Sequence, residues 1–208
     1  MALQTTVKIS NVTNLSDARY CAGMGVDMLG FSMDSHSADY VAPEKVGEMR
    51  GWVAGVQIVG ETQSIDPEAV SSMVDVYQPD MVQVDEAALL PFLHTLNKPL
   101  ILRLDLVGTT LAQLDTLAST PMPDMTYLLL ESASPVHFDD DLLAALGQLA
   151  SRHAVLLGTG ISPDNVHTLL TQLPLAGIAL AGENEERPGS KDFGALMDVL
   201  ETLESSDE

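Results

Sequence analysis

Eight short apolar runs are spread along the chain, and longer segments with helical periodicity separate them. The runs are rich in Val, Ile and Leu, which is typical of parallel strands buried on both faces. They recur at intervals of roughly 25 residues, as strands do when they alternate with helices. The pattern predicts strands at residues 6–10, 26–31, 53–59, 80–84, 99–104, 126–131, 155–157 and 177–181.

Several of the intervening segments begin with residues that favour the first turn of a helix. Pro43 opens one of them, and Asp66 with Pro67 combines a cap with proline at the first helical position. Near the end of the chain, Ser162 is the predicted N-cap, with Pro163 following it. The segments read as helix are 16–24, those starting at 43 and 66, and 86–96, 110–118, 139–152 and 166–170.

Eight consecutive strand–helix units form either a closed (β/α)8 barrel or a doubly wound open sheet. A doubly wound sheet that binds dinucleotides carries G-x-G-x-x-G after its first strand, and that motif is missing here. The sequence therefore predicts an α/β fold, a single-domain (β/α)8 TIM barrel over residues 1–203 with an acidic tail over 204–208. In such barrels the loops after strands 7 and 8 commonly bind phosphate through backbone N–H groups. The glycine-bearing turns at 158–160 and 182 are the candidates.

The charge balance narrows the classes of partner. The 208 residues include 30 acidic and 9 basic ones, a formal net charge of −21. Such a field repels nucleic acid and anionic membranes, so neither is expected as a partner. No apolar run approaches the ~20 residues of a membrane span, and the amino terminus lacks a signal-peptide pattern. The single cysteine, Cys21, excludes an internal disulfide, so we expect a cytoplasmic protein. We expect it to be a monomer or a homodimer.

The sequence gives little indication of a metal or cofactor. The five histidines have no H-x-x-x-H spacing and no cysteine companion. Asp139, Asp140 and Asp141 directly precede an apolar helix, where acidic residues cap the first turn and complement its dipole. We therefore expect no cofactor and no metal, and we interpret Cys21 as a small buried side chain of the first helix.

Several motifs, in order, resemble those of the phosphoribosylanthranilate isomerase family over nearly the whole chain. Residues 8–18, KISNVTNLSDA, are similar to the family's K-I-C-G-I-T-N-x-x-D-A opening, and residues 25–31, GVDMLGF, to its G-A-D-x-L-G-F strand. Residues 37–43, SADYVAP, stand where the family has S-P-R-Y-V-S-P. Residues 158–166, GTGISPDNV, resemble A-G-G-L-x-P-x-N-V, and residues 177–192 align without gaps on the family's last strand and turn.

The resemblance implies an Amadori rearrangement of an aminated ribose phosphate, which takes a general acid and a general base. It puts the family's catalytic cysteine at Ser10 and its catalytic aspartate at Glu131. A serine hydroxyl ionises far above physiological pH, whereas a thiol can be tuned to a thiolate. The family's substrate-binding arginine is replaced by Asp39, a reversal of charge where an anionic substrate is held. The other substrate-binding candidates are Lys8, Gly158, Thr159, Gly160, Gly182 and Glu183.

Alternatives remain open for these residues. Lys8 is either a ligand-binding cation or a barrel-interior lysine paired with an acidic neighbour, and Ser10 is either a rebuilt catalytic group or a small polar filler. The glycine turns serve either a phosphate or only tight strand-to-helix geometry. Glu183 has a carboxylate beside a predicted helix N-terminus, where a phosphate would otherwise lie.

Three functions are compatible with this sequence. The first is a diverged member of the family, with little or no isomerase activity, that holds a small molecule, phosphorylated ligands included. The second is a working isomerase in which Glu131 is the acid and Ser10, or a water that it orients, assists proton removal. The third is a non-catalytic interaction or regulatory protein whose acidic surface meets a basic partner.

Overall fold

A computed structural model gives the structure of the protein and describes residues 2–182 and 194–204. Eight parallel strands form a closed barrel in chain order, with β8 hydrogen-bonded to β1. The predicted barrel is confirmed. The strands are β1 (Thr6–Ser10), β2 (Met28–Ser32), β3 (Gln57–Thr62), β4 (Met81–Val84), β5 (Leu100–Asp105), β6 (Thr126–Glu131), β7 (Ala154–Leu157) and β8 (Gly177–Ala181).

Helices cover the outside of the barrel. They are α1 (Leu15–Gly23), α2 (Pro43–Arg50), α3 (Pro67–Tyr77), α4 (Leu90–Leu93), α5 (Leu111–Ser119), α6 (Asp140–Ala150), α7 (Val166–Gln172) and α8 (Gly194–Thr202). Side-chain caps fix several starts: Asp66 accepts from the backbone N–H of Glu68, and Thr110 forms a capping box with Gln113. The predicted fourth helix is instead one α-helical turn between two 3-10 turns, Ala87–Leu89 and His94–Leu96.

Two predicted boundaries are wrong in ways that affect the site. The third strand runs from Gln57 to Thr62, not over 53–59, because its carboxyl end is polar and the apolar run stops before it. Helix α7 begins at Val166 with Asn165 as its N-cap, so Ser162 is not the cap. Residues 163–165 form a turn instead, in which the Asn165 amide accepts from Ser162 N–H at 2.9 Å and donates to Gly160 O at 2.8 Å.

The barrel interior changes from apolar to polar within two residues along the strands. A buried cluster fills the lower layer: Met28, Val59, Met81, Ile101, Leu129, Leu156 and Ala179. Side chains two positions apart on a strand point to the same face. The next inward layer toward the carboxyl ends is therefore Gly30, Glu61, Gln83, Arg103, Glu131, Gly158 and Ala181. Lys8 of β1 is in register with Met28 and Ala179, so it brings one charge into the lower layer, and the other polar side chains of the interior lie in the upper layer and the loops above it.

Larger apolar clusters lie between the strands and the helices and hold the barrel together. Cys21 is fully buried in one of them, as predicted. Near the chain ends, Leu3 and Glu204 form an antiparallel bridge, and residues 205–208 of the predicted tail lie outside the described residues. No helix in the described part of the chain is long and apolar enough to cross a membrane.

Candidate active site

A cavity of about 630 Å³ lies at the carboxyl ends of the strands. Its lining includes the last residues of several strands, among them Ser10 of β1, Ser32 of β2, Thr62 of β3 and Glu131 of β6. Five of the lining side chains are carboxylates: Asp34, Asp39, Glu61, Asp85 and Glu131. The cavity therefore occupies the position where barrel enzymes place their chemistry, and its wall is strongly acidic.

A buried ion pair lies below the cavity on the β1 side. Lys8 is 0% exposed, and its Nζ contacts Glu61 Oε1 and donates to Ser10 Oγ at 2.6 Å. The second oxygen of Glu61 accepts from the backbone N–H of Asn11 at 3.2 Å. Of the two interpretations open for Lys8, the structure has the interior lysine paired with an acidic neighbour. Because a buried charge is costly without a partner, the two groups stabilise each other in place.

Gly30 makes room for this pair. A Cβ atom added there would lie 2.0 Å from Glu61 Oε1 and 3.0 Å from Lys8 Nζ. The glycine of the second strand is thus required by the close approach of the two charged groups and not by its own backbone angles.

A second charged network joins β4, β5 and β6. The Arg103 guanidinium binds Asp85 through two bonds, from Nε at 2.9 Å and from Nη2 at 2.5 Å, and it donates from Nη1 to Glu131 Oε2 at 3.2 Å. The hydrogen bond to Asp85 is the main cause that raises the pKa of Arg103 above its ordinary value, so this side chain keeps its charge. Both carboxylates that face Arg103 are thereby engaged by a single cation.

Gln83 lies between the two networks, in register with Glu61 on the neighbouring strand. Its side chain lines the cavity, the residue is 6% exposed, and Oε1 has no hydrogen-bond partner among the described residues. An unsatisfied buried acceptor costs free energy comparable to a lost hydrogen bond. The oxygen itself is closed off from the cavity, so it is an unsatisfied acceptor inside the wall.

Asp39 faces the cavity from the loop after β2. Its backbone N–H donates to Ser37 Oγ at 3.1 Å, and the nearby Asp34 carboxylate accepts from Thr62 Oγ1 at 2.5 Å and Gln63 N–H at 2.7 Å. These bonds tie the acidic loop to the end of β3 and keep it over the cavity.

The glycine turns after β7 and β8 lie apart from this cavity. Gly158, Thr159, Gly160 and Gly182 are not among the residues that line it in the described part of the chain. The N–H of Gly158 donates to Leu130 O at 2.7 Å, and a Cβ there would lie 2.8 Å from Glu131 Cγ. Glu183 lies outside the described residues.

The ring of Phe138 packs against Gly160. This glycine has φ of +67°, and an added Cβ would lie 2.4 Å from Cε2 of Phe138. Packing and backbone geometry therefore account for Gly158 and Gly160 directly, while their role toward a phosphate stays a prediction.

The chain matches the family model for N-(5'phosphoribosyl)anthranilate (PRA) isomerase over residues 7–202. The chain belongs to the phosphoribosylanthranilate isomerase family. Among relatives named N-(5'-phosphoribosyl)anthranilate isomerase, the Thermosynechococcus vestitus protein is 29% identical, with 95% of this chain and 89% of the relative covered. The Xylella fastidiosa (strain 9a5c) protein is 24% identical, covering 98% of this chain and 94% of the relative.

Solved structures of the family share the fold. Phosphoribosyl anthranilate isomerase from Thermotoga maritima superposes with a TM-score of 0.77 at 20% identity, over 96% of this chain and 98% of that one. A family structure in complex with reduced 1-(o-carboxyphenylamino)-1-deoxyribulose 5-phosphate gives a TM-score of 0.76 at 21% identity and the same coverage. At these identities the likeness shows the fold, and the site has to be argued from this chain's own residues.

Three of the predicted site residues lie around one cavity. Ser10, Asp39 and Glu131 are far apart in sequence and all line it. The sequence analysis missed Glu61, Gln83 and Arg103, which carry most of the hydrogen-bonding and charge in the upper layer. Two of them could have been noticed in the sequence, because they are polar residues inside predicted apolar strands: Gln83 in the fourth strand and Arg103 in the fifth. Glu61 gave no such signal because the strand was predicted to end before it.

Metal chemistry has no ligand cluster in the part of the chain that the structure describes. No group of three or more His, Cys, Asp or Glu side chains is placed there to hold a metal ion. The carboxylates of the cavity are instead distributed over two ion-pair networks and one loop.

Proposed function

We propose that this member of the phosphoribosylanthranilate isomerase family has little or no isomerase activity and uses its acid-lined cavity to hold a different small molecule. The observation that carries the proposal is the surroundings of Ser10, the residue at the position of the family's catalytic cysteine. Its hydroxyl accepts a hydrogen bond from the Lys8 ammonium at 2.6 Å. A hydroxyl acts as a base only after a neighbouring group has removed its own proton. The described group in contact with Ser10 Oγ is the Lys8 ammonium, which is paired with Glu61 and cannot accept that proton.

The group at the position of the family's acid supports the same conclusion. Glu131 accepts a hydrogen bond from the Arg103 guanidinium at 3.2 Å, so its carboxylate is in contact with a positive charge. A general acid has to hand a proton to the substrate. The pairing with Arg103 suits a fixed carboxylate instead of a proton donor.

The wall of the cavity is unsuited to an anionic substrate. Asp39 lines it at the position of the family's substrate-binding arginine, and four further carboxylates share the lining. Like charges in a partly enclosed site repel each other more strongly than in water. A phosphorylated anthranilate derivative, with both a carboxylate and a phosphate, meets this wall with the wrong sign of charge.

An isomerase assay and a thermal-shift titration test the proposal together. The wild type is compared with the double variant Ser10→Cys, Asp39→Arg, and each is titrated with the reduced product analogue and with inorganic phosphate. We expect no turnover and no shift for the wild type with the analogue. For the double variant we expect a shift with the analogue, while turnover stays low because Glu131 is still paired with Arg103. Binding adds stability as RT ln(1 + [L]/Kd), so ~100 Kd of analogue would add about 2.7 kcal/mol.

Glu48→Arg is the matched control, because Glu48 is exposed on α2 and its reversal changes the net charge by the same amount away from the cavity. Turnover by the wild type that is lost in Glu131→Gln would overturn the proposal in favour of a working isomerase with Glu131 as its acid.

A further inference from the structure

Two polar side chains in the wall of the cavity make no hydrogen bond to any described residue. They are the hydroxyl of Ser32, at the end of β2, and the carboxamide of Gln83, on β4. Both residues line the cavity, and each is only 6% exposed. Polar groups buried to this degree are normally hydrogen-bonded within a protein, so two such groups in one wall call for an explanation.

The atoms that face the cavity are an amide nitrogen and a hydroxyl. In the Gln83 carboxamide, Oε1 is the enclosed atom, so the part in contact with the cavity is Nε2, which carries two N–H donors. The Ser32 hydroxyl is not enclosed, and a hydroxyl both donates and accepts. A ligand oxygen would accept from either group, and a ligand hydroxyl would also donate to Ser32.

The two groups lie on the same side of the barrel mouth. Ser32 is in register with Glu61, and Glu61 is in register with Gln83, so the three side chains point to the same face from neighbouring strands. Neighbouring strands are about 4.8 Å apart, which puts the backbones of Ser32 and Gln83 about 10 Å apart. Between them, the Glu61 carboxylate is held by Lys8 and by the backbone N–H of Asn11. One small molecule that lies across Glu61 therefore reaches both groups.

The charged groups of the lining are engaged within the protein and do not select a charged ligand. Three of the five carboxylates are ion-paired, one with Lys8 and two with Arg103. The Asp34 carboxylate accepts two hydrogen bonds from the end of β3 and the residue after it. A charge on the ligand competes with these contacts for its partner, whereas a neutral ligand leaves them intact. The two groups without a partner, Ser32 and Gln83, are themselves neutral.

We propose that the cavity binds a neutral, hydroxyl-rich molecule of pentose or hexose size, an unphosphorylated sugar or sugar alcohol. Gln83 Nε2 donates to one oxygen of this ligand, and Ser32 Oγ is hydrogen-bonded to another. The volume of about 630 Å³ is that of a small-molecule pocket. The inference rests on the proposed function, because it names the class of ligand that takes the place of the family's anionic substrate.

Mirror-image sugars separate binding from the general effect of polyols on stability. Sugars and polyols stabilise folded proteins because they are excluded from the protein surface, and this exclusion is the same for two enantiomers. The melting temperature is therefore followed during titration with D- and L-ribose, D- and L-arabinitol, and D- and L-glucose. Ribose 5-phosphate and glucose 6-phosphate are the anionic probes.

We expect one member of at least one enantiomeric pair to raise the melting temperature more than its mirror image does. The difference should grow with the logarithm of the sugar concentration, as it does for a ligand that binds the folded state. The two phosphates are expected to give no shift. Equal shifts within every pair would overturn the inference, and so would a larger shift with the phosphates than with the neutral sugars.

Variants of the two unbonded groups locate the effect. Gln83→Met keeps the length of the side chain and removes the N–H donors, and Ser32→Ala removes the hydroxyl. We expect each to raise the Kd of the responding sugar about three- to tenfold, as the loss of one hydrogen bond does. Gln172→Met is the matched control, because Gln172 is exposed at the end of α7 and away from the cavity.

If both Gln83→Met and Ser32→Ala bind the sugar as the wild type does, the inference is wrong. Isomerase turnover by the wild type would instead overturn the proposed function, so the two failures are distinguishable.

Discussion

The mouth of the barrel has two sides that differ in kind. From β1 to β6 the upper layer is charged and partly open, with Lys8 paired to Glu61 and Arg103 paired to Asp85 and Glu131 around a cavity. At β7 the turn is small and packed, with Phe138 over Gly160. Residues 158–160, predicted as a phosphate turn, are therefore on the packed side, and Ser10, Asp39 and Glu131 lie on the charged side.

The difference shows how a barrel keeps its fold while its chemistry changes. Glycine at 160, which the family motif shares, is required by its positive φ and by the ring of Phe138, so its presence follows from packing and backbone geometry alone. The charged residues contact one another, Arg103 with Asp85 and Glu131 and Glu61 with Lys8, and apart from Lys8 they lie above the apolar layer, so they can change as a group. Conserved-looking turns are thus weak evidence for a retained function in this fold.

The largest expected effect comes from breaking the buried pair on the charged side. Glu61→Ala leaves the Lys8 ammonium buried without its partner, and we expect it to lower the free energy of unfolding by about 3–5 kcal/mol. The measurement is the midpoint of urea unfolding at neutral pH. The double variant Lys8→Met, Glu61→Leu is expected to recover most of the loss, since it removes both charges together.

Glu48→Ala is the surface control for this experiment. Glu48 pairs with Lys45 on the exposed face of α2, and such pairs contribute less than about 1 kcal/mol. An equal cost for Glu61→Ala and Glu48→Ala would mean that the pair below the cavity does not hold the charged side together.

The next largest effect is the loss of stability when alanine replaces Gly160 on the packed side, with Gly108 for comparison. Gly108→Ala and Gly160→Ala both force a side chain into positive φ, at +78° and +67°, which costs about 1–2 kcal/mol. Gly108 has open space around it, whereas an alanine at 160 meets the ring of Phe138. We expect Gly160→Ala to cost about 1 kcal/mol more than Gly108→Ala, because the ring has to leave its contact.

Adding Phe138→Ala separates the two causes. The extra cost of Gly160→Ala should vanish in the Phe138→Ala background, as a double-mutant cycle would measure. If Gly160→Ala costs no more than Gly108→Ala in the first place, the ring does not close the turn, and the distinction between a packed and an open side fails.

The sequence was sufficient for the fold and for part of the site. Apolar runs that alternate with helical segments predicted the barrel, and the bounds of β1, β6 and β8 agree with the predicted runs. The family resemblance named Ser10, Asp39 and Glu131, and all three line one cavity because strand ends and the loops after them gather at one end of any such barrel. Glu61 was not found, since its burial depends on Lys8, 53 residues earlier in the chain, and local hydrophobicity carries no record of that partner.

The same limit applies to the two interpretations of the glycine turn at 158–160. The sequence predicts a phosphate site there as readily as a packed turn, and it gives no sign that the ring of Phe138 packs on Gly160. That ring comes from the loop before α6, and no short-range pattern links it to Gly160.

The smallest expected effect lies in the wall behind the charged side, where an ionisable group is kept neutral. Cys21 packs behind β1 with Val7 and Ile9, and burial, with a smaller contribution from the charge of Asp17, raises the pKa of its thiol from 9.0 to about 12. Between these values the unfolded chain loses a proton that the folded protein keeps. Stability is therefore independent of this group below about pH 9 and falls by about 1.4 kcal/mol per pH unit above it.

We would measure the free energy of unfolding of the wild type and of Cys21→Ala from about pH 8 to about pH 10.5. The difference between the two proteins at each pH gives this slope. Burial is the main cause that raises the pKa of Tyr20 and of Tyr77, and both residues are present in the two proteins. The effect of Tyr77 cancels in the comparison, whereas Tyr20 loses the smaller contribution that Cys21 makes to its shift. We expect the gap between wild type and variant to narrow as the pH rises, because alanine replaces packed volume at every pH but carries no proton. Parallel curves would mean that the thiol ionises as freely in the folded protein as in the unfolded chain, and that the wall behind β1 opens to water.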